Sequence, residues 1–143
     1  MIVVLLVRHA DIDLPPASDD PPLNAAGRER AKALDRALAG AGIATVFVSS
    51  LARTRQTVEP LAARLGLQPQ ETPTPREFAA KLLSGTAGGV VLVAGHSNTV
   101  PAMIAVLGAP PPAIGERDFD NLFVVSRSSS GQEASLVRLK YGK

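Results

Sequence analysis

Both histidines of this sequence directly follow a run of aliphatic residues. The run "IVVLLV" ends at Arg8 and His9, and the run "VVLVA" ends at Gly95 and His96. An imidazole can act as a nucleophile or carry a proton, and a guanidinium can hold two oxygens of a phosphate or carboxylate group. These residue types are suited to chemistry on an anionic substrate.

A third polar group follows the run "ATVFV". It contains Ser49, Ser50 and Arg53, while Ser97 and Asn98 extend the polar turn after the second histidine. Because ligands of an open parallel α/β sheet bind at the carboxyl ends of its strands, we expect the three groups to meet at one end of the sheet. Cations, hydroxyls and helix N-termini gathered there constitute an anion site.

Aliphatic strands alternate with amphipathic helices through most of the chain. Asn24 is suited to cap a first helix that ends at Gly40 or Gly42, and a second helix ends at Gly66. The last segment, "NLFVVSRSSSGQEASLVRLKY", contains two strands joined by a Ser/Gly turn. The pattern predicts an α/β fold of three layers (α/β/α), with a mostly parallel sheet that an antiparallel C-terminal hairpin completes.

The composition excludes several classes of protein. The length predicts one domain, residues 1–143, and the absence of cysteine excludes disulfides and thiolate metal clusters. A net charge of +2 and an aromatic content of 3% argue against nucleic-acid binding. The opening run lacks the features of a signal peptide, and no stretch reaches the length of a membrane helix. We expect a soluble, cytoplasmic protein with no nucleic-acid or membrane partner.

Known site motifs restrict the chemistry further. Two histidines, with no cysteine and no His-x-x-x-His spacing, make a zinc site unfavourable. The sequence contains neither a P-loop nor the nucleophile elbow of the α/β-hydrolases. We expect no metal and no cofactor, and an imidazole is the natural nucleophile among the side chains at the strand ends.

The motifs at the strand ends resemble those of a known family. "VRHA", "VSSLARTRQT" and "AGHSNTVPAMI", in this order, resemble the histidine phosphatase superfamily, as do "PLNAAGRERA" and "DFDNLFVV". The resemblance implies a phosphoglycerate mutase-like fold. Within the family, this short chain is more similar to the bacterial phosphohistidine phosphatases than to the mutases.

The resemblance also implies a role for each matching residue. His9 matches the nucleophile that becomes transiently phosphorylated, Arg8 and Arg53 match the phosphate-holding arginines, and His96 matches the second histidine, which faces the transferring group. The implied activity is metal-independent hydrolysis of phosphomonoesters or protein phosphohistidine, so the partner is a phosphorylated small molecule or phosphoprotein. The alternative is a phosphate or phosphoprotein binding module of low activity on the same fold.

The sequence departs from the family pattern at two places in the site. Ala10 follows the nucleophile position, where the family usually has glycine, and we expect its methyl group to narrow the space beside the phosphate. The loop also lacks the asparagine that many members use to bind the phosphate. Asn98 is the candidate substitute for this substrate contact.

The general acid is left open. Glu77 has the spacing of the family's glutamate, but "TPRE" is also a helix capping box in which Thr74 is the N-cap. Glu71 and Asp11 are the other candidates. A site with no strong acid is also consistent with the sequence, because an easily departing group such as the imidazole of phosphohistidine needs less proton transfer than an alkoxide.

The segment from Leu67 to Val90 is too short for the insertions that cover the site in larger members of the family. An uncovered site admits water, which favours hydrolysis of a phosphohistidine over return of the phosphoryl group to a bound intermediate. The sequence therefore predicts a phosphatase without mutase activity. It leaves the natural substrate and the oligomeric state open.

Overall fold

The computed structural model describes residues 1–72, 74–84, 89–128, 130–131 and 133–142. Within these ranges the chain forms six strands and four helices. The strands are β1 (Ile2–Arg8), β2 (Ile43–Val48), β3 (Gln70–Glu71), β4 (Val90–Gly95), β5 (Asn121–Arg127) and β6 (Ala134–Lys140). The helices are α1 (Ala25–Ala37), α2 (Ala52–Leu65), α3 (Pro75–Leu83) and α4 (Thr99–Val106).

The strands form one mixed sheet in the order β3-β2-β4-β1-β5-β6. The first four strands of this order are parallel, β5 is antiparallel to β1, and β6 is antiparallel to β5. The predicted sheet, mostly parallel and completed by an antiparallel C-terminal hairpin, is confirmed. Because β1 and β4 are neighbours in the middle of the sheet, the residues that follow them lie side by side.

Both faces of the sheet are covered, so the molecule has three layers. Alternate side chains of β1 point to opposite faces: Leu6 packs in a core with Phe78 of α3 and Ile104 of α4, whereas Val7 packs in a second core with Val58 of α2. This burial on both faces explains why the strand is continuously aliphatic. No helix among the described residues is long and apolar enough to cross a membrane.

Most helix ends lie where the sequence predicts them. The side chain of Asn24 accepts a hydrogen bond from the N–H of Gly27, and α2 ends at Gly66, which has a φ of 67°. The prediction that α1 continues to Gly40 or Gly42 is wrong, because the helix ends at Ala37. The residues that follow form tighter turns. In one of these turns, the N–H of Ala41 donates to the carbonyl of Leu38.

Gly27 in α1 packs directly against the chain that follows β1. The N–H of Asn24 donates to the carbonyl of Asp11 at 3.0 Å. A Cβ atom on Gly27 would collide with the carbonyl oxygen of Asp11 and would lie 2.9 Å from its amide nitrogen. This contact therefore requires glycine, and it fixes the loop after His9 against the first turn of α1.

We expect Gly27→Ala to destabilise the protein by about 2 kcal/mol, because overpacking against rigid backbone outweighs the better helix propensity of alanine. Urea unfolding followed by circular dichroism measures the change. Gly40→Ala is the matched control, because nothing lies within 4 Å of a Cβ atom there. A Gly27→Ala variant as stable as the Gly40→Ala variant would contradict the packing argument.

Candidate active site

His9 is the first residue after β1. Its backbone N–H donates to the carbonyl of Gly95 at the end of β4, at 2.8 Å. The residue is 3% exposed, and its Nδ1 lies 2.8 Å from the carbonyl oxygen of Ala10. Because a carbonyl oxygen only accepts hydrogen bonds, Nδ1 carries the proton and Nε2 keeps its lone pair.

Arg8 is held by the loop between α4 and β5. Its Nη1 donates to the carbonyl oxygens of Gly115 at 3.1 Å, Glu116 at 2.8 Å and Asp118 at 3.1 Å. The guanidinium carbon lies 4.2 Å from the centre of the Phe119 ring. Backbone carbonyls and an aromatic face orient this guanidinium without neutralising its charge.

Arg53 lies in the first turn of α2 and is tied to the chain beside His9. The hydroxyl of Thr57 donates to the carbonyl of Arg53 at 2.7 Å and accepts from the N–H of Ala10 at 2.8 Å. The Nε and Nη1 atoms of Arg53 and the Nε atom of Arg8 are buried, and they have no hydrogen-bond partner among the described residues. Buried donors of this kind point to an anionic ligand.

His96 begins the turn from β4 into α4. Its backbone N–H donates to the hydroxyl of Thr99 at 3.0 Å, and its Nε2 lies 2.9 Å from the hydroxyl of Ser49. Ser49 in turn lies 2.8 Å from the hydroxyl of Thr54 in α2. The rings of His96 and His9 have centres 5.4 Å apart, so the ends of β1, β2 and β4 meet as the topology predicts.

Both imidazoles are neutral near pH 7. Burial, together with the nearby charges of Arg8 and Arg53, lowers the pKa of His9 to about 4, although the hydrogen bond to Ala10 acts in the opposite direction. Burial and the same two arginines lower the pKa of His96 to about 4. A neutral imidazole is required of a nitrogen nucleophile, because the cation has no lone pair to donate.

A cavity of about 490 Å³ is lined by Arg8, His9, Arg53 and His96. The apolar residues that line it are Ile12, Leu14, Pro16 and Leu51. The other polar residues that line it are Ser97, Asn98, Thr99 and Glu116. Asn98, the predicted substrate contact, is therefore at the cavity, and its side chain makes no capping hydrogen bond to α4.

The expectation that the Ala10 methyl group narrows the space beside the phosphate is not supported. Ala10 is fully buried and packs with Ile12, Leu23, Ala31 and Phe119 in a small apolar cluster. It is not among the residues that line the cavity. The methyl group fills core rather than the anion site, because the chain turns toward α1 at this residue.

None of the three carboxylates named from the sequence lines the cavity. The carboxylate of Asp11 pairs with Arg30, with Nε and Oδ1 2.6 Å apart. Glu71 and Glu77 are exposed. The N–H of Glu77 donates to the hydroxyl of Thr74, the capping contact that "TPRE" predicts.

Sequence reasoning missed Glu116, the carboxylate that does line the cavity, and Thr57, which connects α2 to Ala10. Thr57 follows Arg53 by one helical turn, a spacing that places both on one side of α2. No local pattern connects Glu116 to the end of β1, because backbone carbonyl groups of its loop bind Arg8 and such contacts leave no residue signature. In the described part of the chain, no group of three or more His, Cys, Asp or Glu side chains could hold a metal ion.

Solved structures of phosphatases share this fold. The protein histidine phosphatase SixA, complexed with tungstate, has a TM-score of 0.81 and 24% identity over 97% of each chain. The mycobacterial glucosyl-3-phosphoglycerate phosphatase Rv2419c, complexed with inorganic phosphate, has a TM-score of 0.73 and 18% identity over 96% of each chain. A putative alpha-ribazole-5'-P phosphatase from Escherichia coli has a TM-score of 0.77 and 17% identity, covering 98% of this chain and 97% of that one. At these identities the likeness establishes the fold.

Sequence comparison gives the family. The chain is 34% identical over 142 residues to the PE-PGRS family protein PE_PGRS11 of Mycobacterium tuberculosis, covering 91% of this chain and 24% of that protein. It therefore spans about a quarter of the length of this curated relative. The family model of the histidine phosphatase superfamily (branch 1) matches residues 4–87, more than half of the chain. The chain therefore belongs to the histidine phosphatase superfamily.

Proposed function

We propose that this chain is a metal-independent phosphatase that hydrolyses phosphomonoesters or protein phosphohistidine through a phosphohistidine intermediate on His9. One observation carries the proposal. A buried, neutral imidazole with an available Nε2 lies beside guanidinium N–H groups of Arg8 and Arg53 that have no partner among the described residues. This arrangement combines a nucleophile with a preformed anion site.

In the first step, the Nε2 lone pair attacks phosphorus and forms the P–N bond. The bond from phosphorus to the leaving atom breaks, its electron pair stays with that atom, and the leaving group takes up a proton from solvent. Charge develops on the equatorial oxygens of the phosphoryl group. The N–H groups of Arg8 and Arg53 stabilise this charge with little reorganisation, because backbone carbonyls already orient Arg8 and the Arg53 guanidinium is already buried at the site.

In the second step, water attacks the phosphorus of phospho-His9. The P–N bond breaks, its electrons return to Nε2, and the proton of the attacking water leaves with solvent or phosphate. His96 presents a second neutral imidazole to the same phosphoryl group, held in place by Ser49 at 2.9 Å. The net reaction consumes one water and restores the neutral imidazole.

Access of water supports hydrolysis over mutase activity. Ser97, Asn98 and Glu116 line the cavity and are exposed to solvent. Between Leu67 and Val90 the described elements are the two-residue strand β3 and the nine-residue helix α3. An open site can also accept a phosphorylated side chain on a protein surface, which supports phosphohistidine protein as a substrate.

We expect His9→Ala to abolish turnover of para-nitrophenyl phosphate in buffer that contains EDTA. Arg53→Ala and His96→Ala should each lower kcat on the order of 10²–10³-fold, the usual effect of removing one group that stabilises the transition state. Arg8→Ala should lower kcat similarly and also lower the melting temperature, because it removes three hydrogen bonds to the α4–β5 loop.

Arg55→Ala is the matched control for Arg53→Ala, because Arg55 is an exposed arginine of the same helix and should retain the wild-type rate. Turnover by His9→Ala at the wild-type rate would exclude the mechanism. Activity that disappears with EDTA and returns with zinc or magnesium would exclude metal independence.

A second prediction separates hydrolysis from mutase activity. With 3-phosphoglycerate and a bisphosphoglycerate primer, free phosphate should form faster than 2-phosphoglycerate, because water reaches phospho-His9 through the open cavity. Phosphorus NMR resolves the products as they form. Faster formation of 2-phosphoglycerate would show that a bound intermediate is retained and that the open-site argument is wrong.

A further inference from the structure

The cavity contains an uneven set of charges. Its cationic side chains are Arg8 and Arg53, its histidines are neutral, and its one lining carboxylate is that of Glu116. The remaining described residues that line it are apolar or uncharged. Once a phosphate group occupies the two arginines, the lining offers no further cation for a second anionic group.

Glu116 is held at the cavity by a tight turn. The N–H of Gly115 donates to the carboxylate of Asp118 at 2.9 Å, and the N–H of Asp118 donates to the carbonyl of Gly115 at 3.1 Å. The carbonyl of Glu116 itself accepts from Nη1 of Arg8 at 2.8 Å. The backbone of Glu116 is therefore fixed relative to the guanidinium, while its side chain is exposed at the cavity.

The charge of Glu116 reaches the anion site. Burial lowers the pKa of Arg8, and the carboxylates of Asp118 and Glu116 oppose that change. The carboxylate of Asp118 is engaged in the turn with Gly115, and Asp118 does not line the cavity. Glu116 is thus the acidic side chain that faces a leaving group bound in the cavity.

We propose that Glu116 selects the leaving group by charge: it favours substrates whose leaving group is neutral or cationic and disfavours those that carry a carboxylate or a second phosphate. The proposal rests on the proposed phosphatase function of the same cavity. A protonated imidazole, released from phosphohistidine, belongs to the favoured class. A phosphoglycerate belongs to the disfavoured class.

Three aryl phosphates of similar shape test the proposal. The esters para-carboxyphenyl, para-carbamoylphenyl and para-aminomethylphenyl phosphate differ in the charge of one substituent, which is negative, neutral and positive respectively. In the wild type, kcat/KM normalised for the reactivity of each leaving group should rise in that order.

In Glu116→Gln, the ratio of kcat/KM for the carboxyl ester to that for the amide ester should rise roughly threefold. The ratio of kcat/KM for the aminomethyl ester to that for the amide ester should fall roughly threefold. This size is expected for unit charges about 6 Å apart in a medium close to water. Both changes should shrink in 0.5 M salt, in which the screening length is only about 4–5 Å. Glu77→Gln, which removes an exposed carboxylate that does not line the cavity, is the control and should leave both ratios unchanged.

The outcomes separate this proposal from others. A loss common to all three esters, with unchanged ratios, would instead make Glu116 a general acid or a structural residue and would overturn charge selection. Unchanged ratios with no loss would also overturn it.

Dissociation constants of the same esters, measured by calorimetry in the His9→Ala background, keep the test independent of catalysis. If the wild type turns over none of the esters but the Glu116→Gln substitution in that background shifts the constants with the predicted signs, the phosphatase proposal fails and the charge selection stands. If the constants do not depend on Glu116, the charge selection fails.

Discussion

The site depends on keeping two buried guanidinium groups positively charged without a direct carboxylate partner. Backbone carbonyls bind the guanidinium of Arg8, and Arg53 lies in the first turn of α2. Neither side chain belongs to an ion pair among the described residues. A carboxylate paired with either guanidinium group would satisfy its N–H donors and cancel the positive field that attracts a phosphate. Burial keeps His9 and His96 neutral, and the charges of the same two arginines add to this effect. The arginine charges therefore favour both anion binding and the neutral form of the proposed nucleophile.

The fold holds these cations together through contacts between its central elements. The bond from His9 to Gly95 aligns the ends of β1 and β4, and Thr57 joins Ala10 to α2. The loop after β1 is attached to α2 as well, because the carboxylate of Asp20 accepts from the N–H of Ala52 at 2.9 Å. These contacts surround His9, the proposed nucleophile, so we expect changes in the packing of α1 or α2 to alter its position.

Much of this arrangement could be predicted from the sequence, and its limits have physical causes. Aliphatic runs ending at Arg8, Ser49 and His96 predict strands whose polar ends meet, because parallel topology leaves no alternative end. The contact between Arg8 and the α4–β5 loop could not be predicted, because backbone carbonyls that bind a distant side chain leave no residue pattern. The position of Glu116 at the cavity could not be predicted for the same reason. The end of α1 and the direction of the Ala10 methyl group depend on packing rather than on local propensity.

In the proposed reaction the phosphoryl group passes through Nε2 of His9. Rapid mixing with para-nitrophenyl phosphate, an alkaline quench and mass spectrometry of peptides would test it most directly, with phosphorus NMR to assign the nitrogen. We expect one acid-labile, base-stable phosphoryl group on Nε2 of His9, formed and lost at rates that match turnover and absent from His9→Ala. Turnover with no phosphorylated protein, or with the label on His96, would contradict it.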